Sequence, residues 1–328
     1  MVDIKSIYAG ILSGLHTEPP ETTMAKKLII NVAPTGSYTN REQNPLQPYT
    51  LEENVKAAID ACKAGASVWH CHAREADGFP SKDPQVVKET IERVLDKCPD
   101  IVTSVIAYAD YDKQGVEQIK PTVDLLTAAD PRLMQTSPLV IRPSSISDKY
   151  TYVITENILK GVVKYLEDHG VRPEYQCDAY GPQRHIEDWM IKTGIAKDPP
   201  IFNLMAGFHG RGFASPAKAD PWKYVYVATM LESMPDNAVI GVCAGGRNWL
   251  PFTLFAMMLG VDMVRVGMED CVYVHPHRDE KLSSSAQAVD MIVEMAGILG
   301  REIATPDEAR QILGVKSVTT RARSSATV

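Results

Sequence analysis

Two histidines one residue apart, in Val68-Trp69-His70-Cys71-His72-Ala73-Arg74, are the side chains of this sequence best arranged for chemistry. They close a short apolar run that reads as a β-strand. Strand side chains alternate faces, so His70 and His72 point one way and Cys71 the other. Two imidazoles side by side offer two nitrogen ligands to one Zn²⁺-like ion; the plainer reading is two polar residues on a wet strand end. A second cluster, Val264-Arg265-Val266-Gly267-Met268-Glu269-Asp270, ends another apolar run. Arg265 is flanked by valines that should face outward, which turns its guanidinium inward, where an unpaired charge is costly. It needs a carboxylate, with Asp270 nearby, or an anionic ligand. A structural Arg–Asp pair and an arginine that holds Asp270 as a base, or grips a substrate carboxylate, both meet that need.

These clusters need a scaffold that brings them together. Apolar or β-branched runs near residues 27–33, 67–72, 101–107, 133–136, 174–179, 201–206, 238–243 and 263–267 alternate with helical sequence. Helices are expected over 51–64, after the N-cap Thr50 with Glu53 at N3, and over 155–168, 221–233 and about 285–299. Eight strands each followed by helical sequence predict an α/β fold, a (β/α)₈ TIM barrel. A doubly wound sheet uses the same alternation, but no glycine-rich phosphate fingerprint follows the first strand. In a barrel the strand C-termini form the active face, and strands two and eight both flank strand one. Glu269 then approaches His70 and His72, giving a His₂Glu set with an open position.

Other residues fall at the same mouth. Ala244-Gly245-Gly246-Arg247-Asn248 follows strand seven, where barrels often bind phosphate through backbone N–H groups, so Gly245, Gly246 and Arg247 suit a phosphorylated cofactor or a plain tight turn. Ser104 and Thr136-Ser137 end strands three and four, and Tyr38 follows Pro34-Thr35-Gly36-Ser37 after strand one; singly these read as caps or turns. The serine-rich stretch 139–148 reads as a loop long enough to act as a lid. His209 sits in a glycine loop, His275-Pro276-His277 lies beyond strand eight in a proline-containing loop, and Cys71 reads as a packed strand residue.

The chain has 328 residues and a formal net charge of −7, which gives no electrostatic reason to expect nucleic acid or an anionic membrane as partner. Its six cysteines are scattered without a C-x-x-C pair, a reduced, cytoplasmic pattern. No apolar run reaches the ~20 residues that span a bilayer. Residues 1–25 lack the organisation of a secretory signal and read as a mobile extension, with Met24 an alternative start; 26–318 read as a single barrel domain and 319–328 as a polar tail.

The chain resembles the β-keto acid cleavage enzyme family from about Lys27 to Lys316. The marks are Ala33-Pro34-Thr35-Gly36, Ala64-Gly65-Ala66 leading into His70-Cys71-His72-Ala73-Arg74, Gly245-Gly246-Arg247, Arg265-Val266-Gly267-Met268-Glu269-Asp270, and Ala304-Thr305-Pro306-Asp307-Glu308-Ala309-Arg310. The resemblance implies a (β/α)₈ barrel with one Zn²⁺ per subunit on His70, His72 and Glu269. It implies a transferase in which a β-keto acid reacts with acetyl-CoA as co-substrate to give acetoacetate and a new acyl-CoA. It assigns Arg265 and Asp270 to proton removal at the substrate's C2, puts Ser104 and Thr136 near polar substrate contacts, and implies a homo-oligomer, with a tetramer favoured.

The family's described member holds a substrate amino group with carboxylates. Here Tyr38 stands where one glutamate is expected, and in Pro173-Glu174-Tyr175-Gln176 the residue Gln176 is read as replacing a second. A primary-amine substrate is therefore not expected; a neutral, hydroxylated or quaternary-ammonium chain is, the last suiting a tyrosine face. Two rivals stand beside this reading. An amidohydrolase-type zinc barrel also uses His-x-His, but on its first strand and with further histidines after strands five and six, where only His185 and His209 occur. A binding barrel with a structural metal would want a fourth protein ligand.

Overall fold

The computed structural model describes residues 23–107, 113–141, 145–146, 151–152, 155–177, 182–206 and 221–316. Eight parallel strands close into a barrel: β1 (Ile29–Val32), β2 (Val68–Cys71), β3 (Val102–Val105), β4 (Thr136–Ile141), β5 (Arg172–Cys177), β6 (Ile201–Ala206), β7 (Val239–Ala244) and β8 (Met263–Val266). Each strand pairs with its sequence neighbour, and β8 pairs with β1 to complete the ring. The expected (β/α)₈ fold is the one observed. The helices are α1 (Leu51–Ala64), α2 (Pro84–Leu95), α3 (Val116–Ala129), α4 (Glu156–Asp168), α5 (Pro182–Ile186), α6 (Pro221–Glu232), α7 (Trp249–Met258), α8 (Ser285–Ile298) and α9 (Pro306–Ile312).

Local chemistry sets the helix ends. Thr50 and Glu53 form a reciprocal capping box at the start of α1, and Gly65 ends that helix in a left-handed conformation (φ 118°) that favours glycine. Asp83 caps α2, with Pro84 at its first position, where the missing N–H costs nothing. Thr305 and Glu308 form a second capping box on α9.

Alternation along the strands sorts side chains into two cores. Trp69, Cys71, Tyr175, Cys177, Val264 and Val266 point outward into the layer between barrel and helices. Ile29, Val68, Val102, Ile201, Val239 and Met263 point inward as an apolar floor, which Ala304, Ala309, Leu313 and Val315 close from below. The inward residues two positions further on are Asn31, His70, Ser104, Asn203, Gly241 and Arg265. The barrel is thus oily at its floor and polar one layer higher.

One strand differs from expectation. Strand four was expected at 133–136, but Asp130 accepts a hydrogen bond from the Arg132 N–H and caps a 3₁₀ turn over Pro131–Leu133, so the extended run begins at Thr136. The first residues of the expected lid, 139–141, therefore belong to β4. Ser145–Ile146 pair antiparallel with Thr151–Tyr152, while 142–144 and 147–150 lie outside the described residues. The expected extension, apart from a 3₁₀ turn at Thr23–Ala25, and the expected tail also lie outside them.

Candidate metal and active site

His70 occupies an inward position of β2, and His72 follows one residue past the strand end. The Asn54 amide of α1 holds the His72 carbonyl at 2.9 Å. The two imidazole rings lie 4.9 Å apart at 66°. On β8, Arg265 points inward as its flanking valines require. The chain then turns sharply at Gly267, whose φ of 138° disfavours any side chain, and whose Cβ would come within 2.2 Å of the Ala33 carbonyl oxygen. That turn lets the Glu269 N–H donate to the Ala33 carbonyl at 3.1 Å, so the ends of β1 and β8 are laced together with Glu269 facing the histidines.

Glu269 Oε1 lies 3.3 Å from His72 Nε2, and Oε2 lies 3.5 Å from His70 Nε2. Potential ligand atoms of the three residues all fall within 4.8 Å of one another. The donor set fits a divalent ion such as Zn²⁺. His70 Nδ1 is buried without a hydrogen-bond partner, a state that a polar guest would relieve. Burial, and next the Arg265 charge, hold the His70 pKa well below its usual value, so the ring is neutral and able to ligate. Burial opposes the charge on Glu269, but the Arg265 guanidinium chiefly outweighs it and holds the carboxyl well below its usual pKa.

Arg265 grips Asp270 with both arms of its fork, Nε to Oδ2 at 2.9 Å and Nη2 to Oδ1 at 2.8 Å, while Nη2 also lies 2.9 Å from Glu269 Oε2. Its Nη1 lies 3.2 Å from His70 Nε2. The inward arginine thus has the carboxylate partner that its burial demanded, and stands between Asp270 and the His–His–Glu donor cluster. Burial pushes the Asp270 pKa up to about 6 against the pull of Arg265, which suits a base working near neutral pH.

The remaining expected residues divide. Ser104 is buried and inward, paired in register with His70 on one side and Thr136 on the other. Thr136 is buried too, its hydroxyl 3.4 Å from the Thr103 carbonyl. Tyr38 is half-buried and packs on Met205 and Cys243, an apolar patch at the top of the barrel. Gln176 is buried and paired in register with Asn203. The Gly245 N–H donates to the Ala206 carbonyl and the Gly246 N–H to the Asp270 carbonyl, so neither is free for a phosphate. Arg247 is likewise committed: it pairs with Asp279, donates to the Arg278 carbonyl and stacks 3.7 Å over the Tyr273 ring. The 245–247 loop thus braces the residues after β8. His185 stacks on Trp189, and His209 lies outside the described residues.

Sequence reasoning missed Glu174. It shares the inward face of β5 with Gln176, two residues on, and is buried; Ser104 donates to its Oε2 at 3.4 Å and Asn203 to its Oε1 at 2.8 Å. Burial raises its pKa, against hydrogen bonding from Asn203 and the charge of Arg265. Strand five thus carries a barrel carboxyl beside Gln176, to which the sequence reading gave no role. The signal was present: a period of two puts Glu174 and Gln176 on one face and Tyr175 and Cys177 on the other. Inward positions of β5 and β6 carry Glu174, Gln176, Asn203 and Met205 and no histidine, and His185 beyond β5 is stacked on Trp189.

A closed parallel barrel with a His–His–Glu donor cluster and an arginine-held carboxylate at the C-terminal ends of its strands has the form of a barrel enzyme. Residues 27–315 match the pattern of the beta-keto acid cleavage enzyme family. The 3-keto-5-aminohexanoate cleavage enzyme of Fusobacterium nucleatum subsp. nucleatum is 33% identical over 296 residues, covering 89% of this chain and 100% of that protein. The 3-dehydrocarnitine:acetyl-CoA trimethylamine transferase of Rhizobium meliloti is 26% identical over 311 residues, 89% of this chain and 97% of that one. ObcA, solved as a ternary complex with a C4-CoA adduct and oxalate, matches the fold with a TM-score of 0.67 at 18% identity, over 82% of this chain and 68% of that one. The chain belongs to the beta-keto acid cleavage enzyme family. It is an enzyme that breaks a carbon–carbon bond of β-keto acids.

Proposed function

We propose that this enzyme converts a 3-oxo acid and acetyl-CoA into acetoacetate and a new acyl-CoA, with Zn²⁺ held by His70, His72 and Glu269. The observation that carries the proposal is the arginine-gripped Asp270 beside three donors that leave a coordination position open. The ion, when bound, supplies Lewis acidity toward the substrate's 3-keto oxygen and so acidifies the C2–H. Asp270 removes the C2 proton, and Arg265 fixes the carboxylate's orientation and offsets its charge. The C2 carbanion attacks the acetyl carbonyl of acetyl-CoA and expels the CoA thiolate. The thiolate adds to the original 3-keto carbon, the C2–C3 bond breaks, and Asp270 returns its proton to the departing acetoacetate carbanion.

Tyr38, Met205 and Cys243 offer the acyl tail an apolar wall, while the Glu174 carboxyl is engaged by Ser104 and Asn203. These surroundings favour a neutral or quaternary-ammonium tail over a primary amine, with Ser104, Thr136 and Gln176 as polar contacts. The name of the Rhizobium meliloti relative, a trimethylamine transferase, accords with the quaternary alternative. The free cysteines and the absence of any described helix long and apolar enough to cross a membrane agree with a cytoplasmic setting, and family resemblance favours a homo-oligomer.

The test is incubation of zinc-loaded protein with a panel of 3-oxo acids, with and without acetyl-CoA, followed by assay of acetoacetate and acyl-CoA. Acetyl-CoA-dependent formation of both products is expected. Cleavage that proceeds equally without acetyl-CoA would overturn the transfer, and preference for an amino-β-keto acid would overturn the tail assignment.

A further inference from the structure

Arg74, two residues beyond His72, is only 5% exposed, yet among the described residues its guanidinium pairs with no carboxylate. It is spent on neutral oxygens instead. Nη2 donates to the Gly36 carbonyl at 2.6 Å and to the Thr35 hydroxyl, and Nη1 donates to the Gly78 carbonyl at 3.3 Å. A buried cation hydrogen-bonded only to neutral oxygens is an expensive way to tie down a loop, so the Glu269 charge that offsets its burial from behind those oxygens matters. Behind Gly36 lies Glu269: a Cβ on Gly36 would stand 1.9 Å from the Glu269 carboxyl carbon and 2.1 Å from Oε1. The Thr35 hydroxyl is fixed from its other side, donating to the Pro48 carbonyl at 3.0 Å and accepting from Gln47 Nε2 at 3.2 Å. The Glu269 carboxylate is thus confined between the Gly36 backbone and Arg265 Nη2, with Arg74 fastening the Gly36 side.

We infer that Arg74 is a positioning residue for Glu269: by clamping the Thr35–Gly36 turn it holds the carboxylate in the one orientation that faces both histidines. The inference rests on the metal reading above and extends it to a residue that touches neither ion nor substrate. Groups that orient metal ligands from behind change affinity by about 10- to 100-fold when removed. A lysine at this position keeps the charge but loses the two-armed fork that reaches Gly36 and Gly78 together.

The experiment compares wild type, Arg74→Lys and Arg74→Ala by zinc titration against a competing chelator, and by the visible absorption of the Co²⁺-substituted protein. Circular dichroism of each apoprotein checks folding. Arg74→Ala is expected to bind zinc about 10- to 100-fold more weakly with an altered Co²⁺ spectrum, and added guanidinium ion to restore both; Arg74→Lys should fall between. Wild-type zinc affinity and an unchanged spectrum in Arg74→Ala would overturn the inference while leaving the metal site standing. Uptake of neither ion by the wild type would overturn the metal reading, and this inference with it. If Arg74→Ala does not fold, Arg74→Lys decides by the same readings: weakened binding with a changed spectrum supports the clamp, and wild-type values overturn it.

Discussion

At the residue scale the site separates two tasks that adjacent carboxylates could have confused. Glu269 is held ionised chiefly by Arg265, whereas burial lifts Asp270 to about 6 despite the same arginine. In the proposed mechanism the first would ligate the ion and the second accept and return a proton. Glu269→Gln is therefore expected to abolish both bound metal and turnover, measured by metal analysis and acetoacetate assay. Asp270→Asn should retain metal and lose roughly 10²- to 10⁴-fold in kcat, the usual worth of a general base. Full activity in Asp270→Asn would remove it from the mechanism. Glu174 marks the limit of reading motifs one residue at a time, since its role in the barrel follows from strand parity rather than from any motif.

At the scale of elements, turns and caps decide where these groups stand. Gly267 is required twice, by its positive φ and by its contact with Ala33, so Gly267→Ala is expected to cost about 2 kcal/mol or more in chemical denaturation and to displace Glu269. The capping box of α1 gives a pH signature. Hydrogen bonds from the Thr50 and then the Tyr49 backbone N–H, with Arg41 alongside, depress the Glu53 pKa from 4.5 to about 2 against the opposing effect of burial. A carboxylate depressed in the folded state stabilises above its unfolded pKa, and that contribution is lost as pH falls through the folded value. Wild type should thus lose thermal stability between about pH 4.5 and 2 more steeply than Glu53→Gln, and matching acid limbs would refute the assignment.

At the scale of the whole molecule the barrel divides labour along its axis. The apolar floor of Ile29, Val68, Val102, Ile201, Val239 and Met263, sealed by Leu313 and its neighbours, stabilises the fold without touching the mouth. Leu313→Ala is expected to cost about 2–5 kcal/mol of stability and to leave zinc affinity unchanged, read by denaturation and chelator competition. A loss of zinc affinity in the folded variant would show that floor and mouth are coupled. Above the floor, polar residues from separate strands share one layer, and Asn31 Nδ2 and Oδ1 and Asn203 Oδ1 have no protein hydrogen-bond partner there. Such groups are costly when left unsatisfied, so this layer favours a polar guest over an apolar one.

What the sequence determined by itself was periodicity and chemical type. Alternating strands and helices were enough for the barrel, and the placing of His70, His72, Arg265, Glu269 and Asp270 in one cluster was legible too, because strand parity and strand order are local or countable properties. Strand four escaped because a short polar side chain, Asp130, capped a turn inside an apolar run. Only the tertiary structure decided that the Gly245 and Gly246 N–H groups are already spent, that Arg247 braces the turn after β8, and that Glu174 bonds Ser104 across the barrel. It also brought Arg74 behind Gly36 and Glu269. Such facts depend on which partners closure of the ring brings within about 3 Å, and no spacing along a single chain encodes that distance.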